Sequence, residues 1–168
     1  MKVIDVIDDF LQDYSFKQLQ NTLLHNKFPW YYNDNIIDNV SDTLSNFQFT
    51  HTFYDIRSPW NGEASDYFSL LSHCLQKMKC KNLYRIKANL KPRTFFHYKT
   101  AYHIDQEHVK KTAILYFNTN NGWTRFKRGG RVKSVENRLV IFDSNQEHSG
   151  VTCTDEKCRV VMNFNYDL

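Results

Sequence analysis

The chain has 168 residues, 41% of them hydrophobic and 15% aromatic, with a formal net charge of +4. That length suits one domain with a sizeable core, and five glycines and three prolines argue against disorder or long flexible linkers. So mild a positive charge admits an acidic partner without calling for nucleic acid, and no apolar run is long enough for a membrane span. The opening Met1-Lys2-Val3-Ile4-Asp5 carries an acid where a signal peptide would be apolar, so the expected location is the cytoplasm. Cysteines 74, 80, 153 and 158 are expected to be reduced thiols there.

Val3 to Phe10 reads as an opening strand followed by a turn. Ser15 is placed as the N-cap of a helix over Phe16 to Asn26, with Leu19, Leu23 and Leu24 on one face. Phe28-Pro29-Trp30-Tyr31-Tyr32 is expected to be extended, because a residue before proline avoids helical backbone angles. Trp30 has two readings, a wall of a substrate cleft or a plug in the core beside the helix. From Asn46 to Tyr54, Phe47, Phe49, His51 and Phe53 alternate, which predicts a strand with His51 as a core or rim residue rather than a ligand. Ala64 to Met78 has the best helical spacing, with Phe68, Leu71, Leu75 and Met78 on one stripe.

Asn82 to Leu90 reads as a strand with Tyr84, Ile86, Ala88 and Leu90 on one face and Arg85, Lys87 and Asn89 on the other. The polar face either lines a site or meets solvent; facing inward, it brings Arg85 and Asn89 to substrate or co-substrate. Lys91 to Thr100 reads as a loop, either a plain connection or a flap that carries Tyr98 or His97 to the substrate. Gln106 to Lys111 is polar, and Val109 to Phe117 is a buried strand in which Tyr116 is either core or a pocket hydroxyl. Residues 127–133, Lys-Arg-Gly-Gly-Arg-Val-Lys, form a basic hairpin, read as a solvated loop or as steering for an acidic partner. Leu139 to Phe142 is a short buried strand, and Arg159 to Tyr166 a final one with Arg159, Val161, Asn163 and Asn165 on one face. Asn163 is therefore expected in the same pocket as Arg159.

The chemistry gathers in the last third. On a strand, His103 and Asp105 share a face, and His148, 45 positions beyond His103, is brought to them by sheet closure. Two imidazoles and one carboxylate with open positions remaining form the ligand set of non-haem Fe(II) oxygenases. Arg159 follows His148 by 11 residues, room for a turn and the start of a neighbouring strand. Its planar fork suits the far carboxylate of an acidic co-substrate.

At these residues the sequence resembles the Fe(II)/2-oxoglutarate-dependent oxygenases, in the branch that includes the prolyl 4-hydroxylases. The resemblance runs from about Tyr84 to Phe164. It takes in the His103-x-Asp105 pair, the strand Thr112 to Asn118 and Asn121-Gly122-Trp123-Thr124-Arg125-Phe126, which is similar to the family's G-G-x-T-x-F hairpin. It continues through Asn137 to Phe142, His148 and Arg159, and departs from the family at Trp123, where a second glycine is usual. What it implies is a mainly β, double-stranded β-helix (jelly-roll, cupin-like) barrel with N-terminal helices packed on one sheet. Residues 1–168 would form one domain, with 1–81 as helices and outer strands and 82–168 as the barrel that binds metal and co-substrate. It also implies Fe(II) on His103, Asp105 and His148, with 2-oxoglutarate and O2 as co-substrates and ascorbate as a possible accessory. Arg159, Tyr116, Asn89, Thr124 and Asn163 would surround the co-substrate, and Arg85, Tyr98, Trp123 and Trp30 are candidate substrate contacts. The implied reaction hydroxylates an unactivated C–H, giving succinate and CO2, on a prolyl residue of a peptide or protein. The alternatives are a free amino acid or small metabolite as substrate, nucleic-acid demethylation, which would need a continuous basic groove of which only residues 127–133 give a hint, or a non-enzymatic β-barrel binding module.

Overall fold

The structure, a computed structural model, describes residues 4–34, 47–105 and 108–168. Val3, Asn46 and Gln106, where three expected segments begin, lie outside the described residues. In chain order the elements are β1 (Ile4–Ile7), α1 (Asp13–Leu23), β2 (Tyr31–Asn33), β3 (Gln48–Asp55), a 3-10 turn (Phe68–Leu71) and α2 (Ser72–Met78). Then follow β4 (Asn82–Pro92), β5 (Lys111–Tyr116), β6 (Trp123–Phe126), β7 (Arg131–Lys133), β8 (Leu139–Asp143), β9 (His148–Val151) and β10 (Cys158–Asp167).

Seven strands form one antiparallel sheet in the order β1-β8-β5-β10-β4-β3-β2, and three form a second in the order β7-β6-β9. This is the double-stranded β-helix that the sequence leads one to expect. The large sheet has two characters because side chains alternate along each strand. On β10, Val160, Met162, Phe164 and Tyr166 face the helices, joining Ile86, Ala88, Ala113, Leu115 and Leu139 in the main core. Phe16, Leu19 and Leu23 of α1 and Cys74 and Met78 of α2 cover that face, with Phe16 stacked on Phe117 at 5.8 Å. The opposite face of β10 carries Arg159, Val161, Asn163 and Asn165 toward the small sheet. A second apolar cluster of Ile114, Tyr116, Phe126, Val140, Phe142 and Val161 closes one side of the space between the sheets.

Several boundaries differ from expectation, each for a local reason. α1 begins at Asp13, so Ser15 lies inside the first turn; Gln12 holds the N-cap position without a side-chain bond, and Asp13 puts a negative charge at the helix start. The helix ends at Leu23, and Leu24 is exposed rather than on the apolar face. At Ala64 the chain is still paired with β3, through the Tyr54–Glu63 bridge and the Ala64 N–H to Phe53 O bond, and regular helix starts only at Ser72 after the 3-10 turn. β4 runs past Leu90 to Pro92, because its pairing with β10 continues to Cys158. His51 is a core histidine as read, its two ring nitrogens 2.8 Å from Pro29 O and 2.7 Å from Ser65 Oγ. All four cysteines are free. No helix among the described residues is long and apolar enough to cross a membrane.

Candidate metal centre and co-substrate cavity

The chain delivers the two histidines to each other through the backbone. His103 and His148 form an isolated antiparallel bridge beside β9, each N–H donating to the other's carbonyl at 3.0 Å. Paired residues in a bridge share a face, so the rings lie together with centroids 4.7 Å apart. Asp105, two residues on, reaches the same point. One ligand atom from each of the three lies within 4.8 Å of the others.

The electrostatics of this cluster suit a cation. His103 Nδ1 is 3.2 Å from Ala101 O and His148 Nδ1 is 3.1 Å from Gln146 O. A carbonyl accepts only, so each ring carries its proton on Nδ1 and leaves a lone pair on Nε2. Those Nε2 atoms face the carboxylate of Asp105 at 3.7 and 3.9 Å. Three sets of lone pairs aimed at one point repel unless a positive ion lies between them. Adjacent ligands of an octahedral divalent ion with bonds of about 2.1 Å stand about 3 Å apart, which small side-chain shifts reach. Burial, and then the neighbouring His148, lower the pKa of His103 and favour the neutral ring a metal needs. Burial pushes Asp105 upward, but His148, His103, Arg85 and the Asn163 hydrogen bond outweigh it and hold the carboxyl below its usual range. Asn163 Nδ2 donates to Asp105 Oδ2 at 3.1 Å, and Arg85 Nη2 stands 3.8 Å from Oδ1.

From this cluster a cavity of about 420 Å3 runs between the sheets. Arg159 lies along it, four residues from Asn163 on the same face of β10, or about 13 Å at the usual strand rise. Arg159 is 4% exposed and its guanidinium is held in position: Nε donates to Ser134 Oγ at 2.8 Å and Nη2 to Thr124 Oγ1 at 3.0 Å. Tyr116 Oη donates to the same Thr124 oxygen at 2.7 Å, so Thr124 keeps its own proton for a ligand. Gly122 makes room for the arginine stem; a Cβ there would stand 2.9 Å from Arg159 Cδ and 2.8 Å from Val151 O.

The expected site residues divide into three groups. His103, Asp105, His148, Arg159, Thr124, Asn163, Asn89 and Arg85 all line the cavity. Tyr116 stands behind the wall, its ring 5.4 Å from the Arg159 guanidinium, and Tyr98 covers Lys91 from the 93–100 loop with its ring 5.5 Å from Nζ. Trp30 and Trp123 lie elsewhere. Trp30 is packed edge-on against Phe28, and its Nε1 donates to Leu23 O at 3.1 Å, which makes it the core plug rather than a cleft wall. Trp123 precedes Thr124 on β6, so when Thr124 points inward Trp123 points outward, between His97 and Arg131.

Lys87, read from sequence as part of the polar face of β4, also lines the cavity; Lys91 and Gly150 line it too and Ser134 anchors Arg159, and none of these three is singled out from sequence. Lys91 carries a usable signal: it continues the Arg85-Lys87-Asn89 alternation by one more step. Ending the strand at Leu90 hides it.

No family model matches this chain, and no curated protein matches it. Solved structures do. A prolyl-4-hydroxylase from Pseudomonas putida aligns over 100% of this chain and 94% of its own, with a TM-score of 0.66 and 14% identity. The fold is that of the 2-oxoglutarate/Fe(II) oxygenases. A viral collagen prolyl hydroxylase from Paramecium Bursaria Chlorella virus-1, solved as a 2-oxoglutarate complex, aligns over 98% of this chain and 94% of its own (TM-score 0.60, 14% identity). A prolyl hydroxylase from Trichoplax adhaerens, in complex with a hypoxia inducible factor oxygen degradation domain peptide fragment, aligns over 98% and 83% (TM-score 0.58, 18% identity).

Proposed function

We propose that this protein is an Fe(II)- and 2-oxoglutarate-dependent dioxygenase that hydroxylates a prolyl residue of a peptide or protein. The observation that carries the reading is the pair of Nε2 lone pairs, fixed by Nδ1 hydrogen bonds, that face the Asp105 carboxylate at 3.7 and 3.9 Å in a cavity that also holds a buried arginine. His103, Asp105 and His148 hold the ion, and Asn163 keeps the Asp105 carboxylate turned toward it. Arg159, anchored by Ser134, and Thr124 take the distal carboxylate of the keto acid, in a pocket from which Tyr116 and Val161 exclude water. When bound, the ferrous ion supplies the activation of O2 that couples decarboxylation of 2-oxoglutarate to hydroxylation of a C–H bond. The protein fixes both partners and separates the reacting atoms from its own side chains. In this reading residues 82–168 carry metal and co-substrate, and 1–81 supply the helices and outer strands that support them.

A peptide substrate is supported by the peptide bound to the similarly folded Trichoplax adhaerens enzyme. The test is incubation with Fe(II), 2-oxoglutarate and a library of proline-containing peptides, read by mass spectrometry. Gain of one oxygen atom on proline, lost with His148→Ala, is the expected result. Oxygen gained only by free amino acids or small metabolites overturns the prolyl assignment.

A further inference from the structure

Lys91 stands directly opposite Arg159 in the β4–β10 ladder, and both side chains enter the cavity. Cross-strand neighbours on one face sit about 5 Å apart at Cβ. Lys91 is 6% exposed, and its Nζ has no hydrogen-bond partner. Arg159 stands opposite it on β10 and the Tyr98 ring lies 5.5 Å from Nζ, while Gln48 and Thr124 line the same cavity. Among the described residues no carboxylate pairs with either Lys91 or Arg159. Two buried like charges without a counter-ion cost free energy in the folded protein. A fold that keeps them side by side in a cavity is organised for an anion that arrives from outside.

We propose that Lys91 is a second cation for the distal carboxylate of the co-substrate, shared with Arg159, and that the pair selects 2-oxo dicarboxylates over 2-oxo acids with an apolar tail. This rests on the co-substrate reading above. Arg159 supplies the rigid fork, fixed by Ser134 and Thr124. Lys91 supplies a point charge on a flexible stem, which can follow the carboxylate as it enters. A keto acid with an apolar tail leaves both charges buried and unmatched, so it is rejected at this end of the cavity rather than at the metal. Burial and then the charge of Arg159 bring the Lys91 pKa down to about 8. The free protein therefore holds this proton at pH 7 and loses it as pH rises through 8, and an incoming carboxylate binds the protonated form.

The test is calorimetric titration of 2-oxoglutarate, and separately of 2-oxobutyrate, into Mn(II)-loaded wild type, Lys91→Met, Lys91→Gln and Arg159→Met. Both Lys91 variants should bind Mn(II) as wild type does and bind 2-oxoglutarate about tenfold or more weakly, while 2-oxobutyrate, facing one unmatched charge instead of two, binds more tightly than to wild type. Wild-type affinity should fall by up to about tenfold per pH unit above pH 8, and the Lys91 variants should lack that dependence. Wild-type 2-oxoglutarate affinity in both Lys91 variants, with loss only in Arg159→Met, overturns the role of Lys91 and leaves the co-substrate reading standing. Failure of the Mn(II)-loaded wild type to bind 2-oxoglutarate overturns both.

Discussion

The main chains of His103 and His148 exchange two hydrogen bonds, each 3.0 Å long, although 45 positions separate them in sequence. This closure matters more to the metal centre than either imidazole alone, because it sets the spacing of the rings before any ion arrives. Asp105 then completes the cluster from the same short segment. Asp105→Asn keeps the size of the side chain and removes the charge. It should weaken Mn(II) binding by about 100-fold or more and cancel the thermal stabilisation that metal gives wild type. At 100 times the dissociation constant, that stabilisation is about 2.7 kcal/mol. Equal melting shifts on metal addition in both proteins would place the ion elsewhere.

Gly122 is predicted to be intolerant of any side chain. A Cβ at 122 meets Asn120 Oδ1 and Val151 O at 2.8 Å and Arg159 Cδ at 2.9 Å, so Gly122→Ala must displace the arginine stem along with its neighbours at the Val151 end of β9, away from His148. Co-substrate affinity should fall by about tenfold or more while Mn(II) affinity stays near wild type, because the histidines are held by a separate bridge. Calorimetry with metal and co-substrate titrated in turn separates the two effects. Unchanged 2-oxoglutarate affinity would show that Arg159 has slack the packing does not suggest.

Thr124 accepts hydrogen bonds from both Tyr116 and Arg159. Thr124→Val keeps the shape and removes the acceptor, leaving two buried donors short of a partner. Unsatisfied buried donors cost about 1–3 kcal/mol each, so stability should fall by at least about 1 kcal/mol. The KM for 2-oxoglutarate should rise several-fold as the guanidinium loses one of its two anchors. Denaturant melts and co-substrate saturation curves check the two halves independently.

The pH dependence of stability offers a further check. The Lys91 pKa is lowered to about 8 in the folded chain, against about 10.4 for an unfolded lysine. Between those values the unfolded state binds more protons, so stability rises with pH. The penalty from Lys91 is full below pH 8 and fades toward pH 10, and the shift corresponds to about 3 kcal/mol as an upper figure. Lys91→Met should therefore raise the melting temperature of the metal-free protein at pH 7 and flatten its stability profile between pH 8 and 10. A lower melting temperature at pH 7 would mean that Lys91 stabilises the free protein instead.

The sequence was most informative where period and spacing coincide. The alternation in β4 and β10 separates a helix-facing apolar side from a polar side, and the His103-x-Asp105 spacing places two ligand types on one face. Sequence alone did not decide whether the polar face of β4 points inward, since a solvated face and a cavity wall share one alternation. Closure of the small sheet over that face settles it. Trp30 has two readings in the sequence because large aromatics suit a cleft wall and a core equally well, and Trp123 is expected at the substrate yet lies between His97 and Arg131 on the outer side of β6. Only the Trp30 bond to Leu23 O and the inward turn of Thr124 distinguish the two. Lys91 is hidden by a strand end expected at Leu90, two residues early, because the ladder with β10 runs on to the Pro92–Cys158 pair.

The most direct measurement is succinate release from 2-oxoglutarate by purified wild type and Asp105→Asn, with Fe(II) present or chelated and proline-containing peptides supplied. The Fe(II)-loaded wild type alone should release succinate in step with 2-oxoglutarate consumption. Equal release from Asp105→Asn, or none from a metal-loaded wild type, would contradict it.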